Sequence, residues 1–187
     1  MPIRAPVVAV VGEGDALPGS ETWRLAEGLG RALAEAGYVV LTGGLGGVME
    51  AASAGARRAE GRAPGSIVGL LPGDDPGEGN QYLDLAIPTG LGHLRNALVA
   101  RADAVVAVGG GAGTLSELAL AWVSHRMVLA YRVKGWSGRL AGTRLDERVR
   151  FAEIPDDQVF GVDGAAEAVT LLSARLPEYR QARRALR

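Results

Sequence analysis

The sequence predicts an α/β fold: a doubly wound, mainly parallel sheet of about six or seven strands with helices on both faces. Six short, continuous apolar runs that are rich in β-branched residues recur along the chain. Such runs are typical of strands buried on both faces of a parallel sheet. Segments with helical periodicity separate the runs, and this alternation indicates a doubly wound sandwich. At 187 residues, the chain is expected to form one domain spanning 1–187.

The apolar runs place the predicted strands at residues 6–12, 38–44, 66–73, 84–90, 102–110 and 127–133. The helical segments between them lie at residues 21–37, 47–61, 91–102 and 113–125. After Tyr131 the pattern weakens, and residues 134–150 have the composition of a loop or lid. One more short strand and two helical segments are expected beyond that loop, which puts the C-terminal helical part at 160–187.

Composition excludes several classes of protein. The chain has no cysteine, which excludes disulfides, thiolate metal sites and cysteine nucleophiles and fits a reducing cytoplasm. Its net charge of −1 gives no general attraction to nucleic acid. No apolar run approaches the roughly 20 residues of a membrane span, and the N-terminal run is too short for a signal peptide. We therefore expect a cytoplasmic protein that binds a small molecule, with neither nucleic acid nor a membrane as its partner.

Nearly every predicted strand runs directly into Gly, Pro or Thr. Ligands of doubly wound sheets bind outside the carboxyl ends of the strands, so this edge is the expected site. Gly12 and Gly14 belong to the first of these strand ends. The other strand ends that should crowd the same edge are residues 42–44, 72–73, 89–90 and 109–111.

Two of these strand ends carry the same glycine-rich pattern. Residues 43–52 read GGLGGVMEAA and residues 110–119 read GGAGTLSELA, and a helix is predicted after each turn. Exposed N–H groups at a helix N-terminus bind anions, phosphate above all, so we predict a phosphate cradle. The alternative is that the glycines only allow close packing of the chain. The predicted cradle residues are Gly43, Gly44, Gly46, Gly47, Gly109, Gly110, Gly111, Gly113 and Thr114, whose hydroxyl group is the expected donor.

The common nucleotide and metal motifs do not account for this edge. The chain lacks the Walker A pattern, which argues against that class of NTPase. Residues 12–14 begin like a dinucleotide fingerprint, but the third glycine is misplaced, and Thr42 stands where an acid would bind the NAD ribose. The two histidines, His93 and His125, are not spaced as metal ligands, so no metal site is predicted. Each histidine is expected in a structural role or at the rim of the site.

Three charged side chains are candidates for the site. Glu117 lies one turn into its predicted helix, where a carboxylate also complements the helix dipole. Glu50 holds the matching position after the earlier glycine turn. Arg95 follows the strand that ends at residues 89–90, and its guanidinium suits bidentate binding of phosphate or carboxylate. The alternative for Arg95 is a solvated helix arginine, and Asn80 in a polar loop is a further residue of interest.

The motifs GGLGGVME, Arg95-Asn96 and GGGAGTLSE together resemble the Lonely Guy (LOG) proteins and their wider Rossmann-like superfamily, whose members are often mislabelled lysine decarboxylases. The family pattern Pro-Gly-Gly-x-Gly-Thr-x-x-Glu is matched at residues 109–117 except at the proline, where this chain has Gly109. The Arg-Lys pair of the family becomes Arg95-Asn96. Its earlier turn, Gly-Gly-Gly-x-x-Gly-Leu-Met-Gly, becomes residues 42–50, which end in Glu50. The resemblance covers residues 6–131.

This resemblance implies a nucleotide-binding protein that forms a homodimer or a larger homo-oligomer. The best-known members hydrolyse the N-glycosidic bond of a nucleoside 5′-monophosphate, with the matched arginine and glutamate as the functional pair. Carried over, this makes Arg95 and Glu117 the expected catalytic residues of a phosphoribohydrolase that requires no cofactor. A carboxylate there would stabilise the oxocarbenium-like state of cleavage. Asn96 and Glu50 become expected ligand-binding residues.

The departures at Glu50, Asn96 and Gly109 bring the chain closer to a subgroup that includes the molybdenum-cofactor carrier proteins. This subgroup implies an alternative function, a non-catalytic carrier or sensor whose ligand is an AMP-like nucleotide or a molybdopterin-type cofactor. A third alternative is an interaction module without a ligand. Lysine decarboxylation is not expected, because its pyridoxal phosphate needs a Schiff-base lysine and the only lysine is Lys134.

Overall fold

The computed structural model describes residues 4–186, which form a seven-stranded sheet and six α-helices. The strands are β1 (Val7–Gly12), β2 (Val39–Thr42), β3 (Ile67–Leu71), β4 (Leu85–Pro88), β5 (Ala104–Val108), β6 (Met127–Tyr131) and β7 (Val159–Val162). The helices are α1 (Glu21–Glu35), α2 (Val48–Arg57), α3 (Asn96–Val99), α4 (Ala112–Val123), α5 (Trp136–Leu140) and α6 (Ala165–Ala185). Two short 3₁₀ helices lie at Pro76–Glu78 and Gly92–Arg95.

All strand pairs of the sheet are parallel, and the strand order is β4-β3-β2-β1-β5-β6-β7. The chain therefore winds outward from β1 to β4, returns to the centre at β5, and winds outward in the other direction to β7. β1 and β5 are neighbours, with Gly12 aligned to Val108 at their carboxyl ends. The reversal between β1 and β5 is the topological switch point, where doubly wound sheets open a crevice for a ligand.

The helices cover both faces of the sheet. On one face α1 packs against α2 and α6, and on the other α4 packs against α3 and α5. Side chains alternate along a strand, so Val8 and Val10 of β1 enter the core of the first face, whereas Ala9 and Val11 enter the core of the second. The predicted fold class is confirmed. Across residues 4–186, no helix combines the length and the apolar composition that crossing a membrane requires.

The predicted helix at residues 91–102 is wrong as a single helix. The structure has the 3₁₀ helix Gly92–Arg95 followed by the short helix α3. Gly90 and Gly92 have φ angles of +64° and +53°, so the chain turns sharply where the helix was expected to begin. As a result, Arg95 lies at the end of a tight 3₁₀ turn at the sheet edge.

The C-terminal third also departs from the prediction. The expected loop at residues 134–150 contains α5, and the part expected to be helical from residue 160 begins inside β7. The two helical segments expected there are one helix, α6, which continues through Pro177. Proline normally breaks a helix, but the neighbouring side chains of Leu176 and Tyr179 are buried and hold α6 against the core. This third of the chain completes the sheet, since β7 pairs with β6 and α6 covers α1.

Two aspartates accept hydrogen bonds from the amino ends of neighbouring strands. Asp103 precedes β5, and its carboxylate accepts a 3.0 Å hydrogen bond from the backbone N–H of Val7 at the start of β1. Asp84 precedes β4 and accepts a 3.2 Å hydrogen bond from the N–H of Ile67 at the start of β3. Each carboxylate also pairs with arginines, which are Arg4 and Arg183 at Asp103 and Arg57 and Arg62 at Asp84.

Asp103 is 3% exposed and remains ionised despite its burial. Burial opposes ionisation most strongly, but the Val7 hydrogen bond and the charges of nearby arginines outweigh it, so the pKa of Asp103 lies below its ordinary value. One of those arginines, Arg183, belongs to α6. The Asp103 carboxylate therefore links the start of β1, beside β5, to the C-terminal helix α6.

We expect Asp103→Asn to lower the free energy of unfolding by about 2 kcal/mol at neutral pH, because hydrogen bonds to an ionised group are worth more than those to a neutral one. The pKa of Asp103 is lowered by folding, so its contribution to stability is present above the unfolded pKa, about 4, and is lost as the pH falls. Urea unfolding of the native chain and the variant measures this difference, which should narrow as the solution is acidified.

Asp163→Asn is the matched control for this prediction. It removes a carboxylate that is 72% exposed and pairs with Arg132, so the free energy of unfolding should change by less than about 0.5 kcal/mol. An Asp103→Asn variant as stable as the native chain at neutral pH would show that Asp103 does not fasten the amino edge of the sheet.

Candidate functional site

A cavity of about 380 Å³ opens at the carboxyl edge of the sheet, at the switch point between β1 and β5. Four segments form its walls: the loop after β1, the turn after β2, the 3₁₀ helix Gly92–Arg95 with the start of α3, and the first turns of α4. Nine residues that the sequence nominated line this cavity, namely Gly12, Gly14, Gly43, Arg95, Asn96, Gly111, Gly113, Thr114 and Glu117. The structure thus brings parts of both glycine turns and the two charged motif residues to one place.

Arg95 reaches the cavity because the chain after β4 folds back over the end of β3. The Thr89 hydroxyl donates to the carbonyl of Leu71 at 2.7 Å, and the N–H of Gly92 donates to the carbonyl of Pro72 at 2.9 Å. These bonds set the 3₁₀ helix that ends in Arg95 against the sheet edge. Arg95 is 7% exposed, so the alternative of a solvated helix arginine is wrong.

Arg95 and Glu117 form a buried ion pair in the cavity wall. Nη1 of Arg95 donates to Oε1 of Glu117 at 3.0 Å and to Oδ1 of Asn96 at 3.1 Å. Nδ2 of Asn96 donates in turn to the hydroxyl of Ser116 on α4, at 2.8 Å. Across residues 4–186, Nε of Arg95 is buried and has no hydrogen-bond partner. The guanidinium therefore keeps one donor that the protein does not use.

Gly43 makes room for this ion pair. A Cβ atom at Gly43 would lie 2.6 Å from Cζ of Arg95, far inside van der Waals contact. The guanidinium therefore lies directly on the backbone of the first glycine turn, and any side chain at residue 43 would displace it. This contact gives a physical reason for the GGLGG turn and the Arg95-Asn96 pair to occur in the same chain.

The rest of the first glycine turn packs against protein. Gly47 has a φ of +63°, and a Cβ atom there would lie 2.5 Å from the carbonyl carbon of Gly14. The N–H of Val48 donates to the carbonyl of Glu13 at 2.9 Å, so the N-terminus of α2 binds the loop after β1. Three other nominated residues of this segment are not among those that line the cavity: Gly44, Gly46 and Glu50.

Asn80 holds the first glycine turn in shape. Its backbone N–H and its Nδ2 donate to the carbonyl of Gly44 at 2.9 and 3.1 Å, and Nδ2 also donates to the carbonyl of Leu45 at 3.1 Å. The polar loop that contains Asn80 therefore supports the turn from outside the cavity. Close packing, the alternative drawn from the sequence, accounts for Gly44 and Gly47, whereas Gly43 and Leu45 reach the cavity.

The N-terminus of α4 is open to the cavity. Gly111 and Gly113 line it, and an added Cβ atom at either residue would meet nothing within 4 Å. Among the residues that the structure describes, no side chain caps the helix. Thr114, the expected hydroxyl donor to a ligand, donates instead to the carbonyl of Gly12 at 3.0 Å and ties α4 to β1. The groups that remain for an anion are the backbone N–H groups of the first helical turn.

Gly109 and Gly110, also predicted as cradle residues, bind the second glycine turn to the segment after β6, on the side away from the cavity. The N–H of Gly109 donates to the hydroxyl of Ser137 at 2.8 Å. The carbonyls of Gly109 and Gly110 accept hydrogen bonds from the backbone N–H groups of Ser137 and Trp136, at 3.1 and 3.0 Å. The second glycine turn is therefore open on the cavity side and bound to the segment after β6 on the other.

Glu117 is 6% exposed, and its ionisation is strongly affected by this burial. Burial raises the pKa of the Glu117 carboxyl to about 7, although the charge of Arg95 and its hydrogen bond act in the opposite direction. The protonated form of this carboxyl is therefore favoured more strongly than in an ordinary glutamate. A carboxyl with a raised pKa in a cavity wall is typical of functional sites.

Several residues that the sequence did not nominate as ligand contacts also line the cavity. They are Val11, Glu13, Asp15, Leu45, Met49 and His93. Within residues 4–186, no ion pair joins Glu13 or Asp15 to a basic side chain. Val11, Glu13, Asp15 and Leu45 lie at or just after strand ends, so the rule that predicted the site could have found them, whereas Met49 and His93 belong to the helices that follow. The incomplete dinucleotide fingerprint at residues 12–14 gives no signal for Glu13.

The part of the chain that the structure describes contains no group of three or more His, Cys, Asp or Glu side chains that could hold a metal ion. His93 lies at the cavity, whereas His125 packs edge-on against the ring of Phe151. Lys134, the only lysine, lines a separate open cavity after β6. The candidates for the site chemistry are therefore Arg95, Glu117 and the backbone of α4, together with the carboxylates of Glu13 and Asp15.

Comparisons with known proteins point to one group of relatives. A family model described as SLOG cluster4 family matches residues 5–163. An uncharacterised protein from Archaeoglobus fulgidus is 42% identical over 126 residues, which cover 67% of this chain and 79% of that protein. The solved structure of the molybdenum cofactor binding protein from the phototrophic bacterium Rippkaea orientalis has a TM-score of 0.75 and 35% identity, covering 92% of this chain and 98% of that chain. The molybdenum cofactor carrier protein of Chlamydomonas reinhardtii has a TM-score of 0.73 and 30% identity, covering 93% and 99%.

We expect Glu117→Gln to make the stability of the chain less dependent on pH. Folding raises the pKa of Glu117 from about 4.3 to about 7, so the stability that this group contributes is present below the unfolded pKa and is lost as the pH rises through the folded one. The free energy of unfolding of the native chain, minus that of the variant, should therefore fall as the pH rises from about 4 to about 8. Urea unfolding at fixed ionic strength measures this difference.

Glu147→Gln is the control, because Glu147 is an exposed carboxyl remote from the cavity. This variant should follow the pH dependence of the native chain. If the difference between the native chain and Glu117→Gln stays constant over the same pH range, burial does not raise the pKa of Glu117.

Proposed function

The chain belongs to the SLOG cluster4 family, and we propose that it is a non-catalytic carrier or sensor that binds an intact phosphorylated ligand, either a molybdopterin-type cofactor or an AMP-like nucleotide. One observation carries the proposal: the uncapped N-terminus of α4 and the buried guanidinium of Arg95 converge on one cavity at the switch point. Both groups are suited to phosphate. The resemblance of the motifs to the LOG-like superfamily, and to its molybdenum-cofactor carrier subgroup, is confirmed by the relatives.

The size and chemistry of the cavity fit such a ligand. Its volume of about 380 Å³ falls within the range of about 300–1,000 Å³ that small-molecule sites occupy. The phosphate group would meet the N–H groups of α4 and the guanidinium of Arg95. A molybdopterin-type ligand also carries a pterin ring with N–H donors, and the carboxylates of Glu13 and Asp15 are acceptors for such donors.

The second candidate function is a phosphoribohydrolase that cleaves the N-glycosidic bond of a nucleoside 5′-monophosphate. The Arg95–Glu117 pair in the cavity wall favours it, because both residues stand at the motif positions of the catalytic pair. Cleavage requires an ionised carboxylate near the oxocarbenium-like centre. Glu117 has its pKa raised to about 7, and its Oε1 is engaged by Arg95. We therefore place the carrier ahead of the hydrolase.

The composition supports a cytoplasmic role with a small molecule as partner. The chain has no cysteine and thus no need for an oxidising compartment. Its net charge of −1 supports the proposal that nucleic acid is not its ligand.

Exposed apolar side chains support a homodimer or a larger homo-oligomer. Leu94, which lies between two cavity residues, is 76% exposed, and Leu98 on α3 is 44% exposed. Val123, on the neighbouring helix α4, is 51% exposed. Exposed apolar surface of this kind marks an interaction site, and we propose a second copy of this chain as its partner. Light scattering of the native chain that gave the monomer mass of 19.3 kDa would remove this proposal.

The first functional experiment separates the carrier from the hydrolase. The purified chain is denatured, and the released material is analysed by chromatography and mass spectrometry for a phosphorylated pterin or nucleotide. In parallel, AMP is incubated with the native chain and with Glu117→Gln. We expect a ligand that is retained or can be titrated, and AMP that is recovered intact. Adenine released by the native chain but not by Glu117→Gln would establish the hydrolase instead.

The same binding experiment tests the role of Arg95. Arg95→Gln should weaken the binding of AMP or a phosphorylated pterin by about 10- to 100-fold, because a charged hydrogen bond is worth about 1.5–3 kcal/mol. Gly43→Ala should also weaken binding while leaving every charge in place, because the added Cβ displaces the guanidinium.

Gly28→Ala is the matched control for these variants, because Gly28 lies on α1 with open space around an added Cβ. It should bind as the native chain does. Native affinity in both Arg95→Gln and Gly43→Ala would exclude Arg95 as a ligand contact. A native chain that neither holds nor binds any phosphorylated ligand would overturn the carrier proposal as a whole.

A further inference from the structure

A second cavity, of about 440 Å³, opens to solvent at the carboxyl end of β6. The segment at residues 132–141 supplies its lining. The charged residues of this lining are Arg132, Lys134 and Arg139, and among the described residues no carboxylate lines it. A concave surface that presents only positive charge attracts and concentrates anions.

Two of these three cations are held in place by their surroundings. Arg132 pairs with the exposed carboxylate of Asp163 at 3.0 Å, and its guanidinium lies against Gly161, where a Cβ atom would be 2.8 Å from Cζ. The guanidinium of Arg139 lies over the ring of Trp136, with 5.0 Å between Cζ and the ring centroid. Because these side chains are already ordered, less conformational entropy is lost when an anion binds.

Two positive charges at this cavity are not neutralised by the protein. Within residues 4–186, no carboxylate lies within ion-pair distance of Lys134 or Arg139. Asp163 compensates Arg132 alone. The chain as a whole has a net charge of −1, so this local excess of positive charge is not a general property of its surface.

The segment that lines this second cavity also packs against the second glycine turn, on the side that faces away from the first cavity. Backbone N–H groups of Trp136 and Ser137 donate to the carbonyls of Gly110 and Gly109, and the Ser137 hydroxyl accepts from the N–H of Gly109. Gly135 approaches so closely that a Cβ atom there would lie 2.7 Å from the carbonyl carbon of Gly109. The two cavities are therefore separate but are built on one hydrogen-bonded piece of backbone.

We propose that the cavity of Arg132, Lys134 and Arg139 is a second anion site, which binds the phosphate group of a small phosphorylated molecule. Arginine binds phosphate oxygens in bidentate geometry, and lysine adds a mobile point charge. A small molecule is favoured over an acidic protein segment, because the three cations surround one concavity of small-molecule size and do not form an extended stripe. This site stands on its own residues and does not depend on the identity of the ligand in the first cavity.

The test is isothermal titration calorimetry with inorganic pyrophosphate, at constant ionic strength maintained with chloride. The native chain should show two binding sites. Lys134→Gln combined with Arg139→Gln should lose one site or weaken it at least about tenfold. Arg95→Gln should affect the other site only. All residues changed in the double variant are exposed, and circular dichroism checks that its fold is intact.

Arg101→Gln combined with Arg184→Gln is the matched control. It removes the same total charge, from two exposed arginines that form no ion pair within residues 4–186. This control should keep both binding sites. Equal weakening in this control would mean general charge attraction and would overturn the proposal. Unchanged binding in the Lys134 and Arg139 variant, or no binding to the native chain, would also overturn it. One further outcome separates the two proposals. If the native chain binds pyrophosphate at a single site, which the Lys134 and Arg139 variant loses and Arg95→Gln keeps, this proposal is supported and the proposed function is contradicted.

Discussion

The parallel arrangement of every strand is the constraint from which the rest of the structure follows. It brings all seven carboxyl ends to one edge of the sheet, where the loops that leave the strands compete for the same space. Backbone must touch backbone there, as it does where Gly47 meets Gly14. At the opposite edge the first N–H groups of the strands need acceptors, which Asp84 and Asp103 supply. Glycine at one end of the strands and aspartate at the other are thus two consequences of one topology.

The parallel topology does not explain the buried ion pair of Arg95 and Glu117, whose geometry is poor for folding stability. Removing both charges from water is costly, and pairing compensates only when the geometry is good and the remaining hydrogen bonds are made. A single hydrogen bond joins the two side chains, and Nε of Arg95 has no partner within residues 4–186. Burial also outweighs the charge of Arg95 in setting the pKa of Glu117. A costly pair at a cavity is better explained by binding than by folding.

The sequence is most informative where a residue pattern has one physical use. All six apolar runs predicted strands that the structure contains, because burial on both faces of a parallel sheet admits few polar residues. The expectation of full burial was wrong for β4, which lies at the edge of the sheet and is largely exposed. Glycine is harder to interpret, because it marks a missing side chain without showing what fills the space. Gly43 admits a guanidinium, Gly47 admits a backbone, and Gly111 faces a cavity. The helix expected at residues 91–102 failed for a related reason, since apolar periodicity does not register the positive φ of Gly92.

The two glycine turns are alike in sequence, but they differ in a way that bears on function. The first is closed, because the N-terminus of α2 donates to the loop after β1. The second stays open, because its N-cap residue is Gly111, which has no side chain, and because Thr114 directs its hydroxyl to Gly12. Beside these N–H groups stands Glu117, whose raised pKa favours the protonated form, which repels a phosphate less than a carboxylate does. The same protonation weakens Glu117 as a stabiliser of an oxocarbenium-like state, because that role needs its negative charge. The electrostatics that would improve anion binding at this site would therefore reduce its capacity for glycosidic cleavage, and both effects support the proposed carrier over the hydrolase.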